Sequence, residues 1–179
     1  AWSLQNLAAA LMGNAQYTEA FSTFDDAKGL LEAIGDFGNL AVVNLNIGLA
    51  LQYAGRSLEA LDYYTTAESI FNQVEDLMHV ARLNVNRGLS FFSLDQFAEA
   101  ELCFSKAVHL FAKLKNDALR LNATDGIIMT QIAQGQTAKA SKLLAEATRS
   151  LESMPELPNF SYLSESFKTR KRAIDARRE

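Results

Sequence analysis

Disulfide chemistry is excluded at the outset, because the 179 residues contain a single cysteine, Cys103. A lone thiol suits a reducing compartment, and the cytoplasm is the expected location. Proline is almost as scarce. Only Pro155 and Pro158 occur, so nothing upstream of them interrupts a helix. The two histidines, His79 and His109, have no ligand spacing between them, and no metal centre is expected. No apolar run is long enough to cross a bilayer, and no signal peptide is visible. A net charge of -4 leaves no overall positive field, so nucleic acid is not expected as a partner. No glycine-rich phosphate loop is present. Cys103 sits among core positions and reads as an inert buried thiol rather than a nucleophile. The expectation is a chain that is not an enzyme and has no cofactor.

Charge is uneven. From Phe160 to Glu179 six basic residues face three acidic ones, so the tail is basic and the body mildly acidic. A short basic run such as Lys168 to Arg172 with Arg177 and Arg178 is usually the solvated face of a helix. The chain starts at Ala1 and is in a helical pattern by Trp2, so it is expected to be an excised piece of a longer protein.

What the chain has in quantity is small and apolar residues at a fixed interval. The hydrophobic fraction is 49 %, enough for one domain with a sizeable core. Ala20, Ala60, Ala100 and Ala140 are spaced by forty residues, as are Ala27, Ala67, Ala107 and Ala147. Between them recur Phe24, Tyr64, Phe104 and Leu144. A period of this size means stacked repeats. The clearest unit runs from Ala41 to Ala67, two apolar-periodic stretches broken at Ala54-Gly55-Arg56.

Helical spacing places a first pair of helices over about 2–13 and 17–34, ended by Gly35-Asp36-Phe37-Gly38. Further pairs follow over about 39–54 and 57–73, 77–93 and 97–113, and 117–133 and 137–152. The connections are short, so each helix folds back antiparallel on its neighbour. The repeats are therefore drawn at about 1–36, 37–76, 77–116 and 117–152. A proline-containing linker covers 153–158. A last helix at 159–179 carries Phe160, Leu163, Phe167 and Ile174 on one face and Lys168, Arg170, Lys171 and Arg172 on the other. It suits the role of a cap over the open end of an array, and a truncated fifth repeat is the rival reading. Gly48 and Gly88 lie in mid-helix, where glycine costs about 1 kcal/mol against alanine, and imply close approach of two helix backbones. Asn44 and Asn84 are expected to bond between repeats, because buried amides need partners. Arg87 stands where Leu7, Ile47 and Ile127 are apolar, and is expected to bury its stem along apolar surface with its head in water or paired to a carboxylate.

The pattern resembles the tetratricopeptide repeat. The second unit shows Ile47-Gly48, Leu51, Ala60, Tyr64 and Ala67. The third shows Gly88, Phe91, Phe97, Ala100, Phe104 and Ala107, and the first Leu7, Ala8, Tyr17, Ala20, Phe24 and Ala27. The fourth, most degenerate, keeps Gly135, Ala140, Leu144 and Ala147. The unit is forty residues where about thirty-four is usual, and it lacks the closing proline. That longer unit is similar to those of kinesin light chains, Leu-Gly-Asn-repeat polarity adaptors and bacterial regulatory arrays. The resemblance implies an all-α solenoid, a right-handed superhelix of antiparallel helix pairs whose first helices line a concave groove, ended by a capping helix. In this family the groove commonly binds an extended or helical peptide.

The candidate site follows from the resemblance and the helical period. Asn6, Asn46 and Asn86 recur at one point of the first helices, with Gly126 in the fourth. In related arrays an asparagine here forms a ladder along the groove, and an amide can both donate to and accept from a peptide backbone. Residues on the same face include Trp2, then Val42, Leu49, Ala50 and Tyr53, then Arg82, Leu89, Ser90 and Ser93, then Asn122, Met129 and Thr130. The strip is mostly apolar and small. It lacks the basic clamp by which chaperone-binding members hold a terminal carboxylate. A non-enzymatic scaffold that takes a peptide or helical segment of a partner protein is the leading expectation. A sensor module gated by a peptide or small ligand is the second. Self-association as a homodimer through the uncovered first helix and Trp2 is the third.

Overall fold

A computed structural model describes residues 1–177. Among these residues the chain is helical throughout, in the order α1 (Trp2–Gly13), α2 (Tyr17–Ile34), α3 (Phe37–Tyr53), α4 (Ser57–Gln73), α5 (Leu77–Ser93), α6 (Phe97–Lys113), α7 (Asp117–Ala133), α8 (Thr137–Glu152) and α9 (Phe160–Asp175). Each helix packs on its sequence neighbour. The first helices of successive hairpins also touch, α3 on α5 and α5 on α7, whereas successive second helices have no comparable contact. The layer of first helices is therefore the compressed, inner side of an open curve. Arg178 of the basic tail lies outside the described residues.

The turns explain the regular stacking. In all seven turns between α1 and α8 one residue is left-handed: Ala15, Gly35, Gly55, Glu75, Asp95, Lys115 and Gly135. The next amide then reaches back to the carbonyl five residues earlier at 2.8–3.1 Å, as Arg56 does to Leu51 and Gln96 to Phe91. This is the Schellman ending, repeated every twenty residues. First helices α3, α5 and α7 then start on a side-chain cap. Asp36, Asp76 and Asn116 accept from the amides of Asn39, His79 and Leu119 at 3.1, 3.0 and 3.0 Å.

The periodic residues form the core. Ala20, Ala60, Ala100 and Ala140 are fully buried, with Phe24, Tyr64 and Phe104 between them and the next alanine. The mid-helix glycines have a different cause from the expected backbone approach. A Cβ on Gly48 would strike the Tyr64 ring, and one on Gly88 would come within 2.8 Å of the Phe104 ring. The second helix inserts a ring into the first helix, and glycine makes the socket. Gly126 serves the same purpose from the next hairpin, with the Phe104 ring 2.6 Å from where its Cβ would stand.

Three further expectations are corrected. Asn44 and Asn84 do not bridge repeats. Each donates within its own helix, to the Leu40 carbonyl at 2.8 Å and the Val80 carbonyl at 2.9 Å, because the carbonyl four residues back is the nearest acceptor in a buried, tightly packed seam. Arg170 does not join the solvated face of α9. It stands three residues after Phe167 and turns toward α7, where its Nε and Nη2 donate to the buried Asp125 carboxylate at 2.9 and 3.0 Å. Ser166 Oγ adds a third bond to Asp125 at 2.7 Å. Ala50, Ser90 and Thr130 lie fully covered beneath the inner strip rather than open on it. Arg87 behaves as expected and pairs with Glu68 of the preceding hairpin.

Candidate functional site

The inner face is built on α1, α3, α5 and α7. Asn46 and Asn86 are half-buried and Asn6 is exposed, and none of the three makes a side-chain hydrogen bond within the described residues. The ladder stops at α7 for a physical reason. Any side chain at position 126 would collide with Phe104. Around the amides, Val42, Leu49, Asn122 and Met129 are half-buried, while Tyr53, Arg82 and Leu89 are exposed. Arg82 makes no ion pair among the described residues. Tyr53 stacks on Tyr17 of α2, ring centroids 5.6 Å apart, which fixes one edge of the strip.

Beneath the strip lies a polar bridge that periodicity did not reveal. Tyr64 Oη donates to Gln52 Oε1 at 2.8 Å, and Ser90 Oγ donates to the same oxygen at 3.3 Å. Burial pushes the Tyr64 phenol upward, so it stays protonated and remains a donor. The bridge ties α3, α4 and α5 below the amides. Its sequence signal was paired substitution. Where Tyr64 and Gln52 stand in one unit, Phe104 and Phe92 stand in the next, and there an aromatic contact between Phe92 and Phe97 replaces the hydrogen bond.

Toward α9 the strip deepens into a cavity of about 200 Å³. Phe92, Met129, Ile132, Ala133 and Ala173 form its apolar wall, and Arg170 and Arg177 its polar edge. Arg177 donates to the Ile132 carbonyl there.

Chemistry of other kinds has little to work with. Among the described residues no group of histidine, cysteine and carboxylate side chains is gathered to hold a metal. Cys103 is buried, and burial raises its thiol above the ordinary value, so the reactive thiolate is disfavoured. His79 stacks on Phe71 and bonds Asp76 at 2.7 Å, a helix-start role. No described helix is long and apolar enough to cross a membrane.

Residues 1–73 match a family model described as tetratricopeptide repeat. No protein of curated function matches the sequence. Among solved structures, the chain is similar to a candidate kinesin light chain from Podosopora anserina with nearly identical TPR-like repeats. The TM-score is 0.78 at 16 % identity, over 98 % of this chain and 87 % of that one. BtubC (BKLC) from P. vanneervenii is similar at a TM-score of 0.72 and 15 % identity, over 98 % and 77 % of the two chains. At such identities the likeness establishes the fold, an all-α solenoid of TPR-like hairpins.

Proposed function

We propose that this chain, a tetratricopeptide-repeat protein and so an interaction scaffold in general, binds an apolar or helical peptide segment of a partner protein along its inner strip, without catalysis and without a cofactor. The observation that carries this reading is the state of Asn46 and Asn86. Two half-buried amides with no side-chain hydrogen bond among the described residues, at the same point of successive first helices, stand ready to pair with a ligand's polar groups. The apolar side chains beside them, Val42, Leu49, Leu89 and Met129, suit the apolar face of a helix. The cavity next to Met129 gives such a ligand an anchor for one large side chain. Asn6, Tyr53, Arg82 and Asn122 complete the strip, with Arg82 its only cation among these residues. Residence in the cytoplasm belongs to the same reading and rests on the single, buried, unpaired cysteine.

The test begins with amphipathic peptides selected from a displayed library against the intact chain. Their affinity is then measured by fluorescence anisotropy. Replacing Asn46 and Asn86 together by alanine is expected to weaken binding at least tenfold, about 1.4 kcal/mol or more. Unchanged affinity, with the helical content of the variant intact, would remove the strip from consideration.

A second reading, self-association at the first hairpin, is favoured by one observation. Trp2 is 78 % and Leu7 52 % exposed, although the equivalent of Leu7, Ile47, is fully buried by the hairpin before it. Light scattering across a concentration series decides this, and a constant monomer mass rejects it.

A further inference from the structure

The buried bridge beneath the strip ends on a group that faces outward. Gln52 Oε1 accepts from Tyr64 Oη at 2.8 Å and from Ser90 Oγ at 3.3 Å. A carbonyl oxygen has two lone pairs, and both are taken. The amide NH2 of Gln52 makes no hydrogen bond among the described residues and is not sealed from solvent. Gln52 itself is half-buried and stands one residue before the exposed Tyr53 of the strip. Its equivalents forty and eighty residues on, Phe92 and Ile132, both wall the cavity into which the strip deepens. The position therefore looks onto the inner face.

The bridge also decides which end of the amide points outward. Tyr64 and Ser90 are fully buried, and burial keeps the Tyr64 phenol protonated. Turning the amide over would set its NH2 against that phenol proton and take the acceptor away, and a buried donor left unpaired is costly. Ser93 pins the same stretch of α5. Its Oγ lies 2.7 Å from Ser57 Oγ of α4 and donates to the Ser90 carbonyl at 2.8 Å. Asn46 and Asn86 have no such restraint, and each can turn to offer a ligand either its oxygen or its NH2. Gln52 can offer only the donor. No other unit can build this arrangement, because Met12, Phe92 and Ile132 stand at the equivalent positions.

We infer that Gln52 is a specificity-determining residue of the inner strip, whose outward NH2 donates to a side-chain carboxylate or carboxamide oxygen of the bound segment. The inference rests on the strip being the peptide site. A ligand that brings a donor to this point leaves two donors facing each other, and a site built for one hydrogen-bond polarity rejects the other strongly. The amide ladder thus tolerates either polarity, while the bridge beneath it selects one.

The test starts from the tightest peptide selected against the intact chain from the displayed library. Each of its polar positions is made Glu in one peptide and Lys in another, and affinities are measured by fluorescence anisotropy. At one position the Glu peptide is expected to bind about tenfold more tightly than the Lys peptide, or better. That ratio is then measured on Gln52→Met and on the double variant Tyr64→Phe, Ser90→Ala. These changes copy Met12, Phe104 and Ala50, the residues at the same points of other units, so the array already accommodates each. The ratio is expected to fall by about fivefold or more on both, on the first because the donor is gone and on the second because the amide is free to turn. Replacing Asn46 and Asn86 by alanine is expected to weaken both peptides and leave the ratio unchanged. Absence of any such position, or a ratio that survives Gln52→Met, overturns the inference. A ratio lost on Gln52→Met but kept on Tyr64→Phe, Ser90→Ala overturns the orienting role of the bridge. If no peptide is selected, or if replacing Asn46 and Asn86 leaves every affinity unchanged, the strip reading itself fails and takes this inference with it.

Discussion

The second and third hairpins and the fourth use one forty-residue frame with different contents. In α3–α4 and α5–α6 a ring from the second helix fills a glycine socket in the first. In α7–α8 Ile128 takes the place of the glycine and Leu144 the place of the ring, both buried. The polar content differs too. Position 125 is a buried aspartate tied to Arg170, where the earlier units have Leu45 and Val85. The frame therefore fixes how much volume must be filled and leaves open which partner fills it. The fourth hairpin also shows a specialised edge. It binds α9 through an ion pair between the buried Asp125 carboxylate and the half-buried Arg170, a geometry-demanding contact that the interior hairpins do not use with their neighbours at this position.

The sharpest way to break this contrast is Arg170→Ala. It leaves the buried Asp125 carboxylate with Ser166 alone; because Arg170 is half-buried and its removal admits water, the loss should be about 2–3 kcal/mol, below that of a fully buried pair. Denaturant unfolding should show the loss, with hydrogen exchange placing it in α7 and α9. The double change Asp125→Leu, Arg170→Leu copies the apolar second unit and should recover most of it, as buried pairs often tolerate apolar replacement. A smaller effect follows from Gly88→Ala, which pushes a methyl group into the Phe104 ring and should cost about 1–3 kcal/mol. Adding Phe104→Leu, in imitation of the fourth hairpin, should restore only part, because the same ring also fills the space at Gly126.

The turns offer a gain instead. Glu75 and Lys115 hold left-handed backbone with a side chain, at φ 55° and 54°. Replacing either by glycine should stabilise the chain by about 1 kcal/mol, and Gly55→Ala should lose a similar amount. Both are read from urea midpoints.

The smallest effect separates α3 and α5 from α7 by pH. Hydrogen bonds from the Asn39 side chain and backbone hold Asp36 below the ordinary carboxylate value. For Asp76, partial desolvation pushes upward, but the bonds from His79 outweigh it and the net direction is down. A lowered carboxylate contributes stability that is complete above the unfolded value of 3.8 and is lost as pH falls through the folded value. Acidification should thus fray the starts of α3 and α5, while α7, capped by the non-titrating Asn116, holds. Amide exchange at Asn39, His79 and Leu119 between pH 5 and pH 3 checks this.

Much of the array was legible before any coordinates. Forty-residue spacing of alanines and rings gave the hairpins, and Gly35, Gly55 and Gly135 marked three of the turns. The turns at Glu75 and Lys115 carry no such mark, because their left-handed backbone is imposed by the helices on either side rather than favoured by the residue. The inner strip was legible as a face, but not its depth. Helical period places Asn86 and Ser90 on one side of α5, and only the approach of α3 and α4 leaves the first open and buries the second.

The sequence alone therefore determined the repeat and its period, since these depend on local helix geometry and on the spacing of apolar side chains. The tertiary structure alone decided that the glycines receive rings, that Arg170 turns to Asp125, and that α9 packs on both α7 and α8. Those outcomes depend on which atoms of distant segments come within contact, and no spacing along one chain specifies that.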